Sequence, residues 1–225
     1  MGASFGSRVR GRLTRAVLAA RFRPGSADVV RLGSSYGGWW VPRWVTGRPG
    51  LAYCAGAGED ITFDLALLSQ GWTVRTFDPT PRAVAHVEAT APASDRFTFD
   101  PVGWWASATT LDFFAPANPA YVSHSVNNVH GTSVSFAAAV KPVHQIASEY
   151  GDRRVDLIKM DIEGAEHAVI STLVEHGPLP EVLCVEFDQP RPLFRLLATI
   201  RLLRGHGYRV IRTEGWNYTF VRRSA

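Results

Sequence analysis

Cysteine is scarce and long hydrophobic runs are absent in this sequence of 225 residues. Cys54 and Cys184 each lie in an apolar, strand-like segment, which favours buried thiols over a disulfide and fits a reducing compartment. The apolar segment 16–20 is too short for the core of a signal peptide, and Arg21 and Arg23 follow it directly. These features predict a soluble, cytoplasmic protein without a membrane span.

No Pro/Ser-rich linker and no internal repeat divides the chain, which disfavours separate domains and repeat architectures. The length and the 46% hydrophobic content suit one α/β domain with a substantial core. Much of the net charge of +4 is concentrated near the start, in Arg8, Arg10, Arg12, Arg15, Arg21 and Arg23. We therefore predict a basic N-terminal arm or helix over residues 1–26 and one domain over residues 27–225. A solvated arm explains the arginines better than a nucleic-acid contact does.

From Leu51 onward, strand-like and helix-like segments alternate at the spacing of βα units. The predicted strands are 51–55, 73–77, 96–99, 155–160 and 182–187, with a final pair at 208–212 and 218–221. Residues 101–140 break the alternation and are predicted to form an insertion of short strands and loops. The predicted fold is therefore α/β and Rossmann-like, with a seven-stranded, mainly parallel sheet ending in an antiparallel hairpin. That is the arrangement of class I methyltransferases.

A Gly-rich turn, Gly56-Ala57-Gly58, follows the first of these strands. Small residues let the backbone approach a ligand, and the helix that follows offers free N–H groups at its start. A dinucleotide fingerprint would need Gly or Ala three residues after Gly58, where this chain has Ile61. The acids Glu59 and Asp60 also disfavour a diphosphate and suit a ligand that carries a sulfonium and an amino group.

The second strand ends at Asp78-Pro79, about 20 residues after the Gly turn, where an acid that binds ribose hydroxyls is expected. An Asp that only caps the turn before Pro79 is the simpler alternative. Gly103 lies past the third strand, where an adenine ring would be bracketed. Together these features favour S-adenosylmethionine over NAD(P), and an NAD(P)-dependent oxidoreductase is the alternative function. The predicted cofactor-binding residues are Gly56, Ala57, Gly58, Asp60, Asp78, Pro79, Gly103 and Asp161.

The fourth strand carries a lysine in its middle and ends in a cluster of acids. A strand covered on both faces normally reads as an almost continuous apolar run, so Lys159 is unusual there. The chain then turns directly into a helix, which places Asp161 at the carboxyl edge of the sheet, where ligands bind.

Four segments together resemble the FkbM family of methyltransferases. They are Lys159 to Glu166, the Gly turn at 56–58, Asp78-Pro79 and Glu186-Phe187-Asp188. The resemblance spans about residues 50–190. It implies S-adenosylmethionine-dependent O-methyltransfer, commonly to a sugar hydroxyl or a natural-product alcohol.

The branch of that family with a Gly-Gly-Trp and a Ser-His-Ser segment is the most similar, here residues 37–39 and 123–125. Many members carry Leu-Asp before the helix that leads to the fourth strand, whereas this chain has Val143-His144. The sequence Asn118-Pro119-Ala120-Tyr121 looks like the signature of amino-methyltransferases. Because it precedes the fourth strand instead of following it, we disfavour that class.

Three acids are predicted to converge at the ends of neighbouring strands. Asp161 ends the fourth strand, and Glu186 and Asp188 are two residues apart at the end of the fifth, so they share a face. Three carboxylates suit Mg²⁺, which would lower the pKa of an acceptor hydroxyl. The predicted catalytic residues are Asp161, Lys159 and His144, the last as general base or further ligand. The alternatives are that the acids bind sugar hydroxyls directly, or that Glu163 and Glu186 only pair with Lys159.

Aromatic and polar side chains elsewhere suggest an acceptor site for a saccharide or glycosylated metabolite. The predicted substrate-binding residues are Tyr36, Trp39, His124, Ser125, Asn127 and Glu163. A homodimer is compatible with the sequence. A non-catalytic binding protein on a methyltransferase fold is a further alternative, which the intact acid cluster disfavours.

Overall fold

A computed structural model describes residues 28–114, 135–188 and 192–223. The strands are β1 (Val29–Leu32), β2 (Trp39–Pro42), β3 (Leu51–Ala55), β4 (Thr73–Phe77), β5 (Phe97–Asp100), β6 (Gly103–Trp104), β7 (Thr109–Phe114), β8 (Ser135–Lys141), β9 (Leu157–Met160), β10 (Val182–Glu186), β11 (Tyr208–Glu214) and β12 (Asn217–Arg222). The helices are α1 (Thr62–Ser69), α2 (Pro81–Thr90), α3 (Val143–Tyr150), α4 (Glu166–His176) and α5 (Leu193–Gly205), with a 3-10 helix at Arg43–Gly47.

The central sheet has seven strands in the order β11–β12–β10–β9–β3–β4–β5. Strands β5, β4, β3, β9 and β10 are parallel, and β12 runs antiparallel to both β10 and β11. The predicted mainly parallel sheet with a terminal antiparallel hairpin is therefore confirmed. Helices follow β3, β4, β9 and β10, as expected for parallel crossovers.

The middle strands form because both of their faces are covered. All four residues of β9 and the first four of β10 are buried, and even Lys159 is only 5% exposed. Local signals set the helix ends: Thr80 caps α2 through the Ala83 amide with Pro81 in the first turn. Gly151 ends α3 in a left-handed conformation. The start of α2 and the end of α3 therefore follow from local residue chemistry.

Two small sheets flank the central one. Strands β6, β8 and β7 form a three-stranded sheet in the segment predicted as an insertion. Strands β1 and β2 form an antiparallel hairpin that the sequence pattern did not predict. Trp39, the first residue of β2, is buried, and Thr219 Oγ1 on β12 donates to the Trp40 carbonyl at 2.6 Å. The hairpin is therefore fixed to the antiparallel end of the central sheet. No helix in the described ranges is long and apolar enough to cross a membrane.

Candidate active site

A cavity of about 590 Å³ opens at the carboxyl ends of the parallel strands. The segments after β3, β4, β5, β9 and β10 all contribute to its wall, which is where open α/β sheets bind ligands. The predicted site residues that line it are Tyr36, Trp39, Gly56, Ala57, Gly58, Asp60, Asp78, Pro79, Gly103, Lys159, Asp161, Glu163, Glu186 and Asp188.

The Gly turn is held against the ends of two neighbouring strands. The Gly56 amide donates to the Phe77 carbonyl at 2.9 Å, and the Gly58 amide donates to Asp78 Oδ2 at 3.0 Å. Gly56 has φ +83°, and a Cβ there would lie 1.8 Å from the Asp161 carbonyl oxygen. Only glycine fits such a close backbone approach in the left-handed region.

Asp78 is buried and has a structural task in this turn. Besides the Gly58 amide, its carboxylate accepts from the Thr80 amide at 2.8 Å and from the Thr80 hydroxyl at 2.7 Å. A carboxylate can accept about four hydrogen bonds, so one position is left for a ligand hydroxyl. Capping the turn and contacting a ribose are therefore compatible roles for this residue.

Lys159 lies beneath the Gly turn. Its ammonium donates to the carbonyls of Ala55 at 3.2 Å and Gly56 at 2.5 Å, and lies 4.0 Å from Asp161 Oδ2. Burial alone would lower the pKa of Lys159, but the negative charges of Asp161 and Asp64 outweigh it and raise the pKa. The lysine is therefore a charged group that holds the Gly turn, and its predicted catalytic role stays a prediction.

The three predicted metal ligands converge. One carboxylate oxygen each from Asp161, Glu186 and Asp188 lies within 4.8 Å of the other two. Glu166, at the start of α4, is fully buried beside them, and its Oε1 accepts from the Gly164 amide at 2.8 Å. Glu166 Oε2 and Asp188 Oδ2 are buried without a hydrogen-bond partner in the described part of the chain.

Crowding of negative charge changes the acidity of this cluster. Burial, reinforced by Asp161 and Glu163, raises the pKa of Glu186 to about 7. Burial, with Glu163 and Asp161 adding to it, raises the pKa of Asp188 to about 10. Burial also raises the pKa of Asp161, although Lys159 opposes the rise. The cluster thus has more acidic groups than it can ionise without an added cation.

Asp60 holds the aromatic loop of the cavity rim. Its carboxylate accepts from the Ser34 hydroxyl at 2.6 Å, the Gly37 amide at 3.1 Å and the Thr62 amide at 2.9 Å. Burial alone would raise the pKa of Asp60, but these hydrogen bonds outweigh it and lower the pKa. Although Asp60 lines the cavity as predicted, its carboxylate is used to fasten the loop that carries Tyr36.

The structure places His144, the predicted general base, beside α4 and not in the cavity wall. His144 is the second residue of α3, and its ring lies 4.8 Å from the ring of His176 at the end of α4. It is not part of the cavity wall. The prediction was based on the Leu-Asp pair that many family members carry before this helix, at the place of Val143-His144 here. The packing of α3 on α4 directs the imidazole toward α4. His124, Ser125 and Asn127 lie outside the described residues.

The last hairpin contributes residues that sequence reasoning did not identify. Glu214, Trp216 and Asn217 line the cavity, as does Arg31 from β1. Arg31 pairs with Glu214 at 2.5 Å across the rim. The Asn217 amide nitrogen, in the orientation that satisfies both amide atoms, donates to Glu186 Oε2 at 3.1 Å. These positions depend on strand pairing between distant segments, which no local pattern reveals.

The sheet order, the Gly turn after β3, the acid after β4 and the cavity at the carboxyl edge define a class I methyltransferase. The sequence matches the Methyltransferase FkbM domain over residues 54–210, and the chain belongs to this family of S-adenosylmethionine-dependent methyltransferases. The predicted oxidoreductase and non-catalytic alternatives are thereby set aside. A search of curated protein sequences finds no significant match.

Several solved structures are similar in fold. The fibrillarin pre-rRNA processing protein of Methanococcus jannaschii is 10% identical, with 79% of this chain and 68% of that chain covered and a TM-score of 0.44. The 1,6-didemethyltoxoflavin-N1-methyltransferase of Burkholderia thailandensis is 14% identical, with coverages of 98% and 90% and a TM-score of 0.37. The glycopeptide N-methyltransferase MtfA is 13% identical, with coverages of 80% and 83% and a TM-score of 0.38.

Proposed function

We propose that the protein is an O-methyltransferase that methylates a hydroxyl group of a saccharide or glycosylated metabolite, assisted by a divalent cation. The observation that carries this proposal is the convergence of Asp161, Glu186 and Asp188 beside the Gly turn. Sugar hydroxyls are weak nucleophiles when neutral, so an enzyme acting on them needs a base or a cation at the reacting oxygen.

The cofactor half of the cavity is assigned to the segments after β3, β4 and β5. Gly56, Ala57 and Gly58 leave room for a ligand against the backbone, and Asp78 retains one acceptor position for a ribose hydroxyl. Pro79 and Gly103 pack together, since a Cβ on Gly103 would lie 3.2 Å from Pro79 Cγ, and they would border the adenine. Asp161 forms the boundary between this half and the acceptor half.

The acid cluster fits Mg²⁺ by its chemistry. Its three ligand atoms are hard oxygens that are close enough to bind one ion after small side-chain movements. The raised pKa values of Glu186 and Asp188 indicate that the cluster has too little positive charge nearby to ionise fully. Asp188 Oδ2 accepts from no donor among the described residues, and the neighbouring Glu166 carboxyl adds to the negative charge around it. A bound Mg²⁺ would lower the pKa of the acceptor hydroxyl and neutralise the cluster.

The acceptor half contains aromatic and acidic side chains. Tyr36 is 80% exposed on the rim loop, Trp39 is buried in the cavity wall, and Glu163 follows β9 with φ +54°. Aromatic faces pack against the C–H groups of sugar rings, and carboxylates accept hydrogen bonds from sugar hydroxyls. Glu163 keeps a left-handed backbone that is strained for a non-glycine residue, as often occurs at functional sites.

Methyl transfer breaks the bond between sulfur and the methyl carbon, forms the new bond to oxygen, and releases the hydroxyl proton. Because His144 lies away from the cavity, a carboxylate of the acid cluster is assigned to accept that proton. Lys159 keeps the Gly turn in place, and Asn217 fixes the orientation of Glu186. The chain thus positions the two reactants and takes up the proton.

The test is methyl transfer from labelled S-adenosylmethionine to a panel of saccharides, with mass and NMR analysis of the product. Activity should be lost in excess EDTA and return with Mg²⁺, and calorimetry should show Mg²⁺ binding to the protein alone. Asp188→Asn should abolish that binding, whereas Asp112→Asn on the exposed side of β7 should retain it. Full activity in EDTA would refute the cation, and a methyl group found on nitrogen would refute the O-methyl proposal.

A further inference from the structure

A second groove, of about 710 Å³, lies at the opposite edge of the central sheet. Its wall includes Val155, two residues before β9, and Glu181, immediately before β10, so it borders the amino ends of the parallel strands. The active-site cavity lies at their carboxyl ends. A five-residue strand spans about 16 Å, so the two sites are well separated. We call this second site the basic groove.

The basic groove carries an excess of positive charge. Arg153, Arg154, Arg222, Arg223 and His206 line it, and Glu181 is the one acid in its wall. Glu181 already pairs with Arg48 at 2.9 Å and with Arg154 at 3.7 Å, and Arg154 also pairs with Asp156. Within the described ranges, no ion pair is formed by Arg153, Arg222 or Arg223. Three guanidinium groups are therefore available to bind an anion.

Three chain segments bring these charges together on a rigid frame. The Arg222 amide donates to the Glu181 carbonyl at 2.9 Å, and the Arg223 amide donates to the Gly207 carbonyl at 3.2 Å. Tyr208 Oη donates to the Pro180 carbonyl at 2.8 Å, which fixes the loop before β10. The convergence therefore results from tertiary structure and is not a charge run along one exposed helix.

The floor between the charges is apolar. Val155, Pro178 and Leu179 line it, with Val155 buried and Pro178 and Leu179 half-buried. The volume falls within the range of small-molecule sites. A ligand suited to this groove would therefore join a multiply charged oxyanion to an apolar portion.

We propose that the basic groove binds a phosphoryl group, carried by a small phosphate ester or by a lipid headgroup. A phosphoryl group suits a site with several arginines better than a carboxylate does. Its oxygens accept hydrogen bonds from guanidinium groups in several directions at once. The groove is separate from the transfer site and does not depend on which acceptor the enzyme methylates.

Calorimetry with pyrophosphate on the full chain tests the phosphoryl site directly. Each charge-assisted hydrogen bond contributes about tenfold in affinity, so Arg153→Gln/Arg223→Gln should weaken pyrophosphate binding by about a hundredfold. Both side chains are exposed, so the double variant should fold. The matched control is Arg195→Gln/Arg201→Gln on the exposed face of α5, which removes the same charge outside the groove and should bind as the wild type does.

Vesicles distinguish the two sources of phosphate. Sedimentation with phosphatidylcholine vesicles containing phosphatidic acid, but not with pure phosphatidylcholine, would identify a lipid headgroup; pyrophosphate binding without sedimentation would identify a soluble ester. Equal affinity of the groove variant and the control variant for pyrophosphate, or no pyrophosphate binding by the wild type, would overturn the proposal. S-adenosylhomocysteine affinity should be unchanged in all variants, so failure here is distinct from failure of the methyltransferase assignment.

Discussion

Glu186→Gln should make the protein more stable at alkaline pH, although it removes one of the proposed metal ligands. Glu186 is half-buried, and burial, followed by the negative charges of Asp161 and Glu163, raises its pKa to about 7. An acid whose pKa is higher in the folded state stabilises the fold below its unfolded pKa, and that stability is lost as pH rises through the folded pKa. Glutamine stays neutral at every pH and avoids the loss.

The magnitude follows from the pKa. A rise from 4.5 to about 7, at about 1.4 kcal/mol for each tenfold change in proton binding, corresponds to about 3 kcal/mol. Because Glu186 is partly exposed, solvent screening reduces this to about 2 kcal/mol. In a domain of this size, about 2 kcal/mol raises Tm by roughly 4–8 °C. Most of the advantage should develop between pH 4.5 and pH 7.

Urea unfolding in EDTA at pH 5, 6, 7 and 8.5 measures this difference. Glu186→Gln should exceed the wild type by only about 0.5 kcal/mol at pH 5, because that pH is just above the unfolded pKa, and by about 2 kcal/mol at pH 8.5. Glu88→Gln on the exposed face of α2 is the control and should show no pH-dependent gain. A variant that is no more stable than the wild type at pH 8.5, or whose advantage is the same at every pH, would refute the crowding of charge around Glu186.

Two further substitutions test the Gly turn. Lys159→Met leaves the half-buried Gly56 carbonyl without its donor and the Ala55 carbonyl with the Asp161 amide alone, so affinity for S-adenosylhomocysteine should fall by at least about tenfold in calorimetry. Lys141→Met, which breaks only an ion pair with Glu149, should bind normally, and equal binding by both would contradict the role of Lys159. Gly56→Ala would place a methyl group 1.8 Å from the Asp161 carbonyl oxygen, so we expect loss of cofactor binding or of folding by circular dichroism. Gly47→Ala meets no atom within 4 Å and should be tolerated; a fully active Gly56→Ala would show that the turn is free to move.

Local patterns were sufficient for the central sheet. The run from Leu51 to Ala55 and the alternation up to Phe77 predicted strands whose bounds the structure reproduces. Each of these strands is an apolar segment that is followed by glycine, proline or an acid. The residues next to the strand therefore indicate where it ends. The hairpin of β1 and β2 was not predicted, because Arg31 interrupts its apolar pattern and its packing partner is β12, far along the chain.

The candidate site also contains residues that local sequence patterns predict and residues that they do not. Gly56, Gly58 and Asp78 were found because their spacing reflects one βαβ unit. Residues such as Asn217 were missed, because their place in the cavity follows from how β12 pairs with β10. The direction of the His144 side chain depends on how α3 packs on α4, which the sequence of α3 alone does not specify.

The ion pair between Arg31 and Glu214 has a consequence for how the enzyme becomes active during its synthesis. The two residues are 183 positions apart and belong to the first and last hairpins of the described structure. A nascent chain can form the cofactor side of the cavity once β9 has emerged, because β3, β4 and β9 are then all present. The side that we propose for the acceptor stays open until β11 and β12 leave the ribosome and close this long loop. Ribosome-bound chains that end before Glu214 should therefore bind S-adenosylhomocysteine yet fail to hold an acceptor.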